Sequence, residues 1–136
     1  MSVSMELRER LVALLEAERA GVVVAKKMLA ESSSGEETAL FETILAGEKD
    51  GCRALGKAIL DLGVAGSGSI GDFVGKVMAL PGKIDRLNLL IKGQEWVVRK
   101  LDEVLESELP AIDREALQKV RNDHVVNIEK CRQFLD

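Results

Sequence analysis

Hydrophobic residues recur at spacings of three and four along most of the chain, which is the period of amphipathic helices. The run 22–24 alone has the composition of a strand, but helical spacing continues on both sides of it. We predict four long helices and one short helix, over residues 4–31, 36–62, 70–80 (the short helix), 83–106 and 113–135. Because a chain of 136 residues can bury its own core, the sequence predicts one all-α domain over residues 1–136.

Residue types at the predicted helix ends support these boundaries. Ser4 is suited to cap the N-terminus of the first helix, and Ser34 with Glu37 has the capping-box spacing that begins the second helix. Gly63 suits the position after the second helix, where a left-handed backbone is common. Asp113 is predicted to cap the last helix.

The lengths of the connections predict how the helices are arranged. The first and second long helices are joined by a short link, and so are the third and fourth, which makes each pair an antiparallel hairpin. Residues 63–82 form a long, glycine-rich connection that includes the short helix and can cross the length of a bundle. We therefore predict a four-helix bundle with one crossover, with a simple up-down-up-down bundle as the alternative.

Charge and hydropathy exclude several classes of partner. No stretch of about 18 uncharged apolar residues occurs, so we expect no membrane span. The N-terminal residues are charged and lack the apolar block of a secretory signal, so we expect a cytoplasmic protein. Basic residues are interleaved with acidic ones and the net charge is −4, so we expect no nucleic-acid partner.

One polar residue interrupts the apolar stripe of each long helix. These residues are Glu18, Glu48, Gln94 and His124, and each lies near the midpoint of its helix. Helices aligned side by side would place all four in one buried layer. A buried carboxylate costs several kcal/mol unless it is paired, protonated or bound to a metal.

Two interpretations of this layer remain open. In the first, Glu18, Glu48 and His124 hold one Fe, Mn or Zn ion, with Gln94 as a weak ligand or a hydrogen-bonding neighbour of the ligands. In the second, no metal binds: an imidazolium balances one carboxylate, the other is protonated, and Gln94 bridges them. An error in helix register would instead leave one or more of these residues at the surface.

Three segments of the chain resemble the ferritin-like superfamily, in particular a divergent bacterial group of uncharacterised proteins. They are LLEAERAG at 14–21, GQEWVVRKL at 93–101 and HVVNIEKC at 124–131. The similarity in layout extends over nearly the whole chain. It implies a ferritin-like four-helix bundle with a crossover between the second and third long helices.

The resemblance also implies a set of metal ligands. Active di-iron members of the superfamily take one Glu from each of the first and third helices and a Glu-x-x-His pair from each of the other two. Glu18, Glu48 and His124 match that pattern. The other three ligand positions carry Gly51, Gln94 and Arg121. These departures, with a positive charge expected beside the site from Arg121, imply a mononuclear site or a lost one.

The expected function is therefore a non-catalytic structural or interaction module with a polar layer in its core. The alternative is a metal-binding protein with a single ion and redox activity. A Ser-His-Asp triad has no support, since the chain has one histidine and no marked nucleophile.

Several weaker patterns have ordinary structural interpretations. Residues 66–71 spell GxGxxG but follow a helix and lack a βαβ context, so we expect a crossover loop and no nucleotide site. Trp96 and Gly93 are predicted to pack against Phe73 or Val77 of the short helix. Four further valines lie off the main stripes and predict a homodimer contact through helix faces: Val23, Val24, Val125 and Val126.

The two cysteines, Cys52 and Cys131, lie inside helical patterns without CxxC spacing. They are predicted to be reduced, buried thiols that form no disulfide. Cys52 follows Glu48 by one helical turn, so a soft metal ligand is a second interpretation for it.

Overall fold

A computed structural model describes residues 3–66 and 68–136, and over these residues the chain is all-helical without strands. The helices are α1 (Met5–Ala30), α2 (Gly35–Asp61), α3 (Phe73–Met78), α4 (Lys83–Leu105) and α5 (Ala111–Leu135). The all-α prediction is confirmed, and the four long helices begin and end close to their predicted limits. Helix α3 is shorter than the predicted helix over 70–80. Residue 67 of the GxGxxG motif lies outside the described residues.

The predicted caps at the first two helices are present. Ser4 Oγ accepts a hydrogen bond from the backbone N–H of Leu7, and Ser34 Oγ accepts one from the N–H of Glu37, each at 3.1 Å. These bonds satisfy amide donors that the helix itself leaves unpaired. After α2, Gly63 has a φ of +67°, a conformation that favours glycine and ends the helix.

The predicted cap of the last helix is wrong. Helix α5 begins at Ala111 with Pro110 before it, so Asp113 lies within the first turn. Its side chain is buried, 3.5 Å from the Lys57 ammonium and close to Asp61. Burial raises the pKa of Asp113, and the neighbouring Asp61 carboxylate raises it further. Pro110 has an extended backbone with a ψ of 140° and precedes the first helical residue, so α5 begins two residues earlier than the sequence pattern indicates.

The long helices pack around two hydrophobic clusters. Helix α1 contacts α2 and α4, α5 contacts the same two helices, and α3 packs on α1 and α4. The first cluster includes Leu11, Leu55, Leu101 and Leu117. The second includes Val24, Phe41, Leu87 and Ile128, together with Val77 of α3. Helix α2 ends beside the first cluster, and α4 begins beside the second.

Burial at several apolar positions departs from what helical spacing predicts. Ile84 is exposed and Val22 is half-buried, although both lie at such spacing. Cys52, predicted to be buried, is half-buried, and Val24, predicted to lie in a surface contact, is buried. The simple spacing rule fails here because a helix that packs against two or three neighbours buries a wider face than one narrow stripe. Cys52 and Cys131 are free thiols, and of the two only Cys131 is buried.

Helix α3 is held against α4 at Gly93. A Cβ atom at this position would lie 2.9 Å from Cζ of Phe73, so the aromatic ring rests directly on the backbone of α4. The predicted contact between Gly93 and Phe73 is confirmed. Among the described residues, no helix has the length and apolar character needed to cross a bilayer.

Candidate metal centre

The four polar residues that interrupt the stripes are all buried. Exposed fractions are 0% for Glu18, 3% for Glu48, 3% for Gln94 and 1% for His124. They lie in α1, α2, α4 and α5, respectively, between the two hydrophobic clusters. The stripes therefore predicted the helix register correctly at these four positions.

Three of the four side chains meet in the core. His124 Nε2 lies 2.9 Å from Glu18 Oε1 and 3.9 Å from Glu48 Oε1. One candidate ligand atom from each of these three residues lies within 4.8 Å of the others. This spacing is within the reach of a single cation with coordination bonds of about 2 Å.

Two glycines provide the space for the carboxyl groups. A Cβ atom at position 51 would lie 2.6 Å from Cδ of Glu18, and one at position 21 would lie 2.5 Å from Cδ of Glu48. Neither Gly21 nor Gly51 has a positive φ. Glu18 of α1 therefore projects onto Gly51 of α2, and Glu48 of α2 projects onto Gly21 of α1. The two glycines are required for space rather than for backbone conformation.

The spacing of these glycines along the chain is a sequence signal for this arrangement that was not predicted. Glu18 and Gly21, and likewise Glu48 and Gly51, share the spacing Glu-x-x-Gly. A glycine in the middle of a helix costs about 1 kcal/mol of stability relative to alanine. Two helical glycines that each follow a buried glutamate by three residues therefore indicate a structural requirement. Gly51 was interpreted only as a missing histidine ligand.

Burial determines the protonation of the two carboxyl groups. It raises the pKa of Glu18 to about 8, although a hydrogen bond from Glu48 lowers this pKa in part. The pKa of Glu48 is raised well above its usual range, first by burial and then by the charge of Glu18, while His124 opposes the rise. Both shifts favour the protonated carboxylic acid over the buried carboxylate.

We predict that the metal-free protein loses stability as the pH rises from about 5 to 8. The folded-state pKa of Glu18 lies above the value of the unfolded chain, so its contribution is complete below about pH 4.5 and disappears as the pH passes about 8. The total loss should be on the order of a few kcal/mol. Urea unfolding of chelator-treated protein at several pH values measures it.

The matched comparison for this pH series is Glu48→Gln, which keeps a hydrogen-bond donor but removes one of the two titrating groups. We expect a smaller loss of stability with pH in this variant. An unfolding free energy of the wild-type protein that stays constant or increases from pH 5 to 8 would contradict the prediction.

Other polar atoms near the site lack partners. Gln94 Nε2 and His124 Nδ1 are buried without a hydrogen-bond partner among the described residues. Glu18 Oε2 likewise accepts no bond from an amide, imidazole or alcohol donor there. A ligand histidine usually donates its second ring N–H to a nearby acceptor, and the described residues supply none to His124.

Two neighbouring residues considered in the sequence lie outside the three-residue group. Cys52 is half-buried, and burial together with the charges of Glu18 and Glu48 raises the pKa of its thiol to about 11. A protonated thiol is a poor metal ligand. Arg121 turns away from the core and pairs with Asp102, with Nε 2.9 Å from Oδ1, so the positive charge expected beside the site is absent.

The chain belongs to the family described as "Domain of unknown function (DUF6306)", whose profile matches residues 5–133. No curated protein matches the chain significantly, and neither does any solved structure.

Proposed function

We propose that this protein holds a single Fe, Mn or Zn ion in the core of a ferritin-like four-helix bundle. The observation that supports the proposal is the convergence of Glu18, Glu48 and His124 from three helices, fully buried and with ligand atoms within 4.8 Å of one another. Two carboxylates and an imidazole are a donor set suited to these ions.

The ferritin-like arrangement is supported by the membership of the two core clusters. The first cluster joins the N-terminal halves of α1 and α5 to the C-terminal halves of α2 and α4. The second cluster joins the opposite halves. We infer that α1 and α5 run in one direction and α2 and α4 in the other, which is the up-down-down-up order with a crossover.

Three protein ligands leave coordination positions open on the ion. A structural zinc site normally uses four protein ligands, whereas sites with three bind water or another small molecule at the remaining position. Gln94 lies in the same buried layer and is suited to contact such a molecule or to act as a weak ligand. The ion would also replace the protons that Glu18 and Glu48 hold in its absence, so metal affinity is expected to increase with pH.

A second candidate function is a metal-free polar layer that fixes the helix register in a structural or interaction module. One observation favours it: the hydrogen bond between His124 Nε2 and Glu18 Oε1, at 2.9 Å, joins α1 to α5 without an ion. Buried polar pairs of this kind specify alignment in some helical assemblies, although an apolar layer would be at least as stable.

Metal content separates these two functions. Protein purified without an affinity tag or chelator, and then reconstituted with Fe(II), Mn(II) or Zn(II), should contain about one equivalent of one of these metals. Glu48→Gln should reduce the metal to below about a tenth of an equivalent, because it removes an anionic ligand. The exposed Glu42 lies on the same helix, and Glu42→Gln is the matched control that should retain the metal.

The proposal fails if wild-type protein stays below about a tenth of an equivalent after all three reconstitutions. It also fails if Glu48→Gln and Glu42→Gln bind equal amounts of metal, since the ion would then lie elsewhere.

A further inference from the structure

A cavity of about 350 Å³ lies between α1, α3 and α4 and reaches the polar layer. Its walls are mainly apolar and include Ala17, Phe73, Leu90, Trp96 and Val97. Small-molecule sites in proteins are commonly of this size or larger, with apolar walls and a few polar groups. Phe73 and Gly93, which contact each other, both line this cavity, and the cavity is large enough for an organic ligand.

The inner part of the cavity is polar. Glu48 and Gln94 both line it, and both are nearly completely buried. Gln94 Nε2 has no hydrogen-bond partner among the described residues. A carboxylate placed beside the buried Glu48 would lose its hydration next to a second acidic group.

The outer part of the cavity carries two positive charges. Lys92 and Arg99 line it and are exposed, and neither forms a hydrogen bond or ion pair within the described parts of the chain. They are seven residues apart on α4, which places both on the same side of the helix. Most arginines of this chain have acidic or carbonyl partners, for example Arg86 with Glu31.

We propose that this cavity binds an amphipathic organic monocarboxylate. The carboxylate pairs with Lys92 or Arg99 at the mouth, and the apolar body lies between Phe73 and Trp96. A cavity of about 150 Å³ accommodates benzene, so this one holds an apolar body of roughly ten to twelve carbon atoms. A medium-chain fatty acid and a two-ring aromatic acid share this chemistry.

The orientation follows from the charges at the two ends. The mouth offers Lys92 and Arg99 in contact with solvent, whereas the residues that line the inner end are the buried Glu48 and Gln94, neither of which is a cation. A carboxylate bound at the inner end would lose its hydration without gaining a cation. The binding site is complete without a metal ion, so it goes beyond the proposed metal function and does not depend on it.

Trp96 makes binding directly measurable, since it is the only tryptophan of the chain and lines the cavity. Decanoate and 2-naphthoate are titrated into metal-free protein below their aggregation concentrations. Because naphthoate itself absorbs and emits, it is followed by isothermal calorimetry, and decanoate by Trp96 fluorescence. We expect saturable binding of at least one of the two acids, with a Kd below about 100 μM. The one that binds more tightly identifies the alkyl or aryl class.

Two variants and their controls separate the apolar and the charged contributions. Ala17→Leu fills part of the cavity and should weaken binding at least tenfold, whereas Ala13→Leu, one turn away on α1 and not in the cavity wall, should not. The double variant Lys92→Gln/Arg99→Gln should weaken the acid at least tenfold but leave binding of the neutral analogue, 1-decanol or 2-naphthol, within about twofold. Lys26→Gln/Lys27→Gln is the matched control for exposed charge.

Any of three results would overturn the inference. The first is no saturable binding of either acid up to 1 mM, and the second is equal binding of the acid by Ala17→Leu and wild type. The third is an equal effect on acid binding of Lys92→Gln/Arg99→Gln and of its control Lys26→Gln/Lys27→Gln. Circular dichroism establishes that each variant remains folded. Because all titrations use metal-free protein, failure here leaves the metal proposal standing, and absence of metal leaves this inference standing.

Discussion

Replacing Gly51 by alanine is expected to remove metal binding and to destabilise the protein, although alanine is the better helix former. The new Cβ atom would lie 2.6 Å from Cδ and 3.1 Å from Cγ of Glu18, well inside van der Waals contact. Glu18 is completely buried, so its side chain can move only by displacing other core residues. Overpacking of a core typically costs about 1–3 kcal/mol, which exceeds the gain of about 1 kcal/mol from replacing glycine in a helix.

Gly56 provides the matched control for this experiment because it lies in the same helix. A Cβ atom at position 56 meets nothing within 4 Å, and its backbone is helical. Gly56→Ala should therefore stabilise the protein by about 0.5–1 kcal/mol and leave metal binding unchanged. Urea unfolding of the two metal-free variants measures the difference, and metal titration gives the affinity. If Gly51→Ala stabilises the protein as much as Gly56→Ala and binds metal normally, the carboxyl group of Glu18 does not lie against Gly51.

The helices were predictable from the sequence because their determinants are local. Spacing of apolar residues sets the helical period, and the hydroxyl groups of Ser4 and Ser34 cap their helices through residues three positions away. Asp113 was misjudged because its buried position depends on Lys57 and Asp61, which are distant in the sequence. Tertiary contacts of this kind have no local pattern.

The candidate site was predictable in part for a related reason. A polar residue within an apolar stripe is visible in one helix at a time, and this identified Glu18, Glu48, Gln94 and His124. Which of them meet depends on side-chain directions across helices, and the amide nitrogen of Gln94 has no hydrogen-bond partner among the described residues. The space beside the carboxyl groups, like the cavity lined by Trp96, results from packing between helices and could not be derived from the spacing within any one of them.

His124→Leu is expected to remove the stabilisation that a bound metal gives to the folded protein. An ion that binds only the folded state adds about 2.7 kcal/mol to the unfolding free energy when its free concentration is 100 times its Kd. Leucine has a similar volume to histidine but no ligand atom, so we expect at least a hundredfold weaker binding and little or no rise in Tm on addition of the metal. Gln94→Leu is the matched comparison: Gln94 is buried in the same layer but is proposed only as a weak ligand or a neighbour of the bound molecule, so its replacement should preserve most of the rise in Tm.

The metal-free forms of the same proteins separate the two candidate functions. If the layer only fixes helix register, wild-type protein gains no stability from Fe(II), Mn(II) or Zn(II), and His124→Leu lowers Tm equally with and without metal because Glu18 loses its hydrogen-bond partner. If the layer binds an ion, the difference between wild type and His124→Leu increases with metal concentration, as mass action requires. A difference that is independent of metal concentration would exclude metal binding at this site and leave the structural layer as its function.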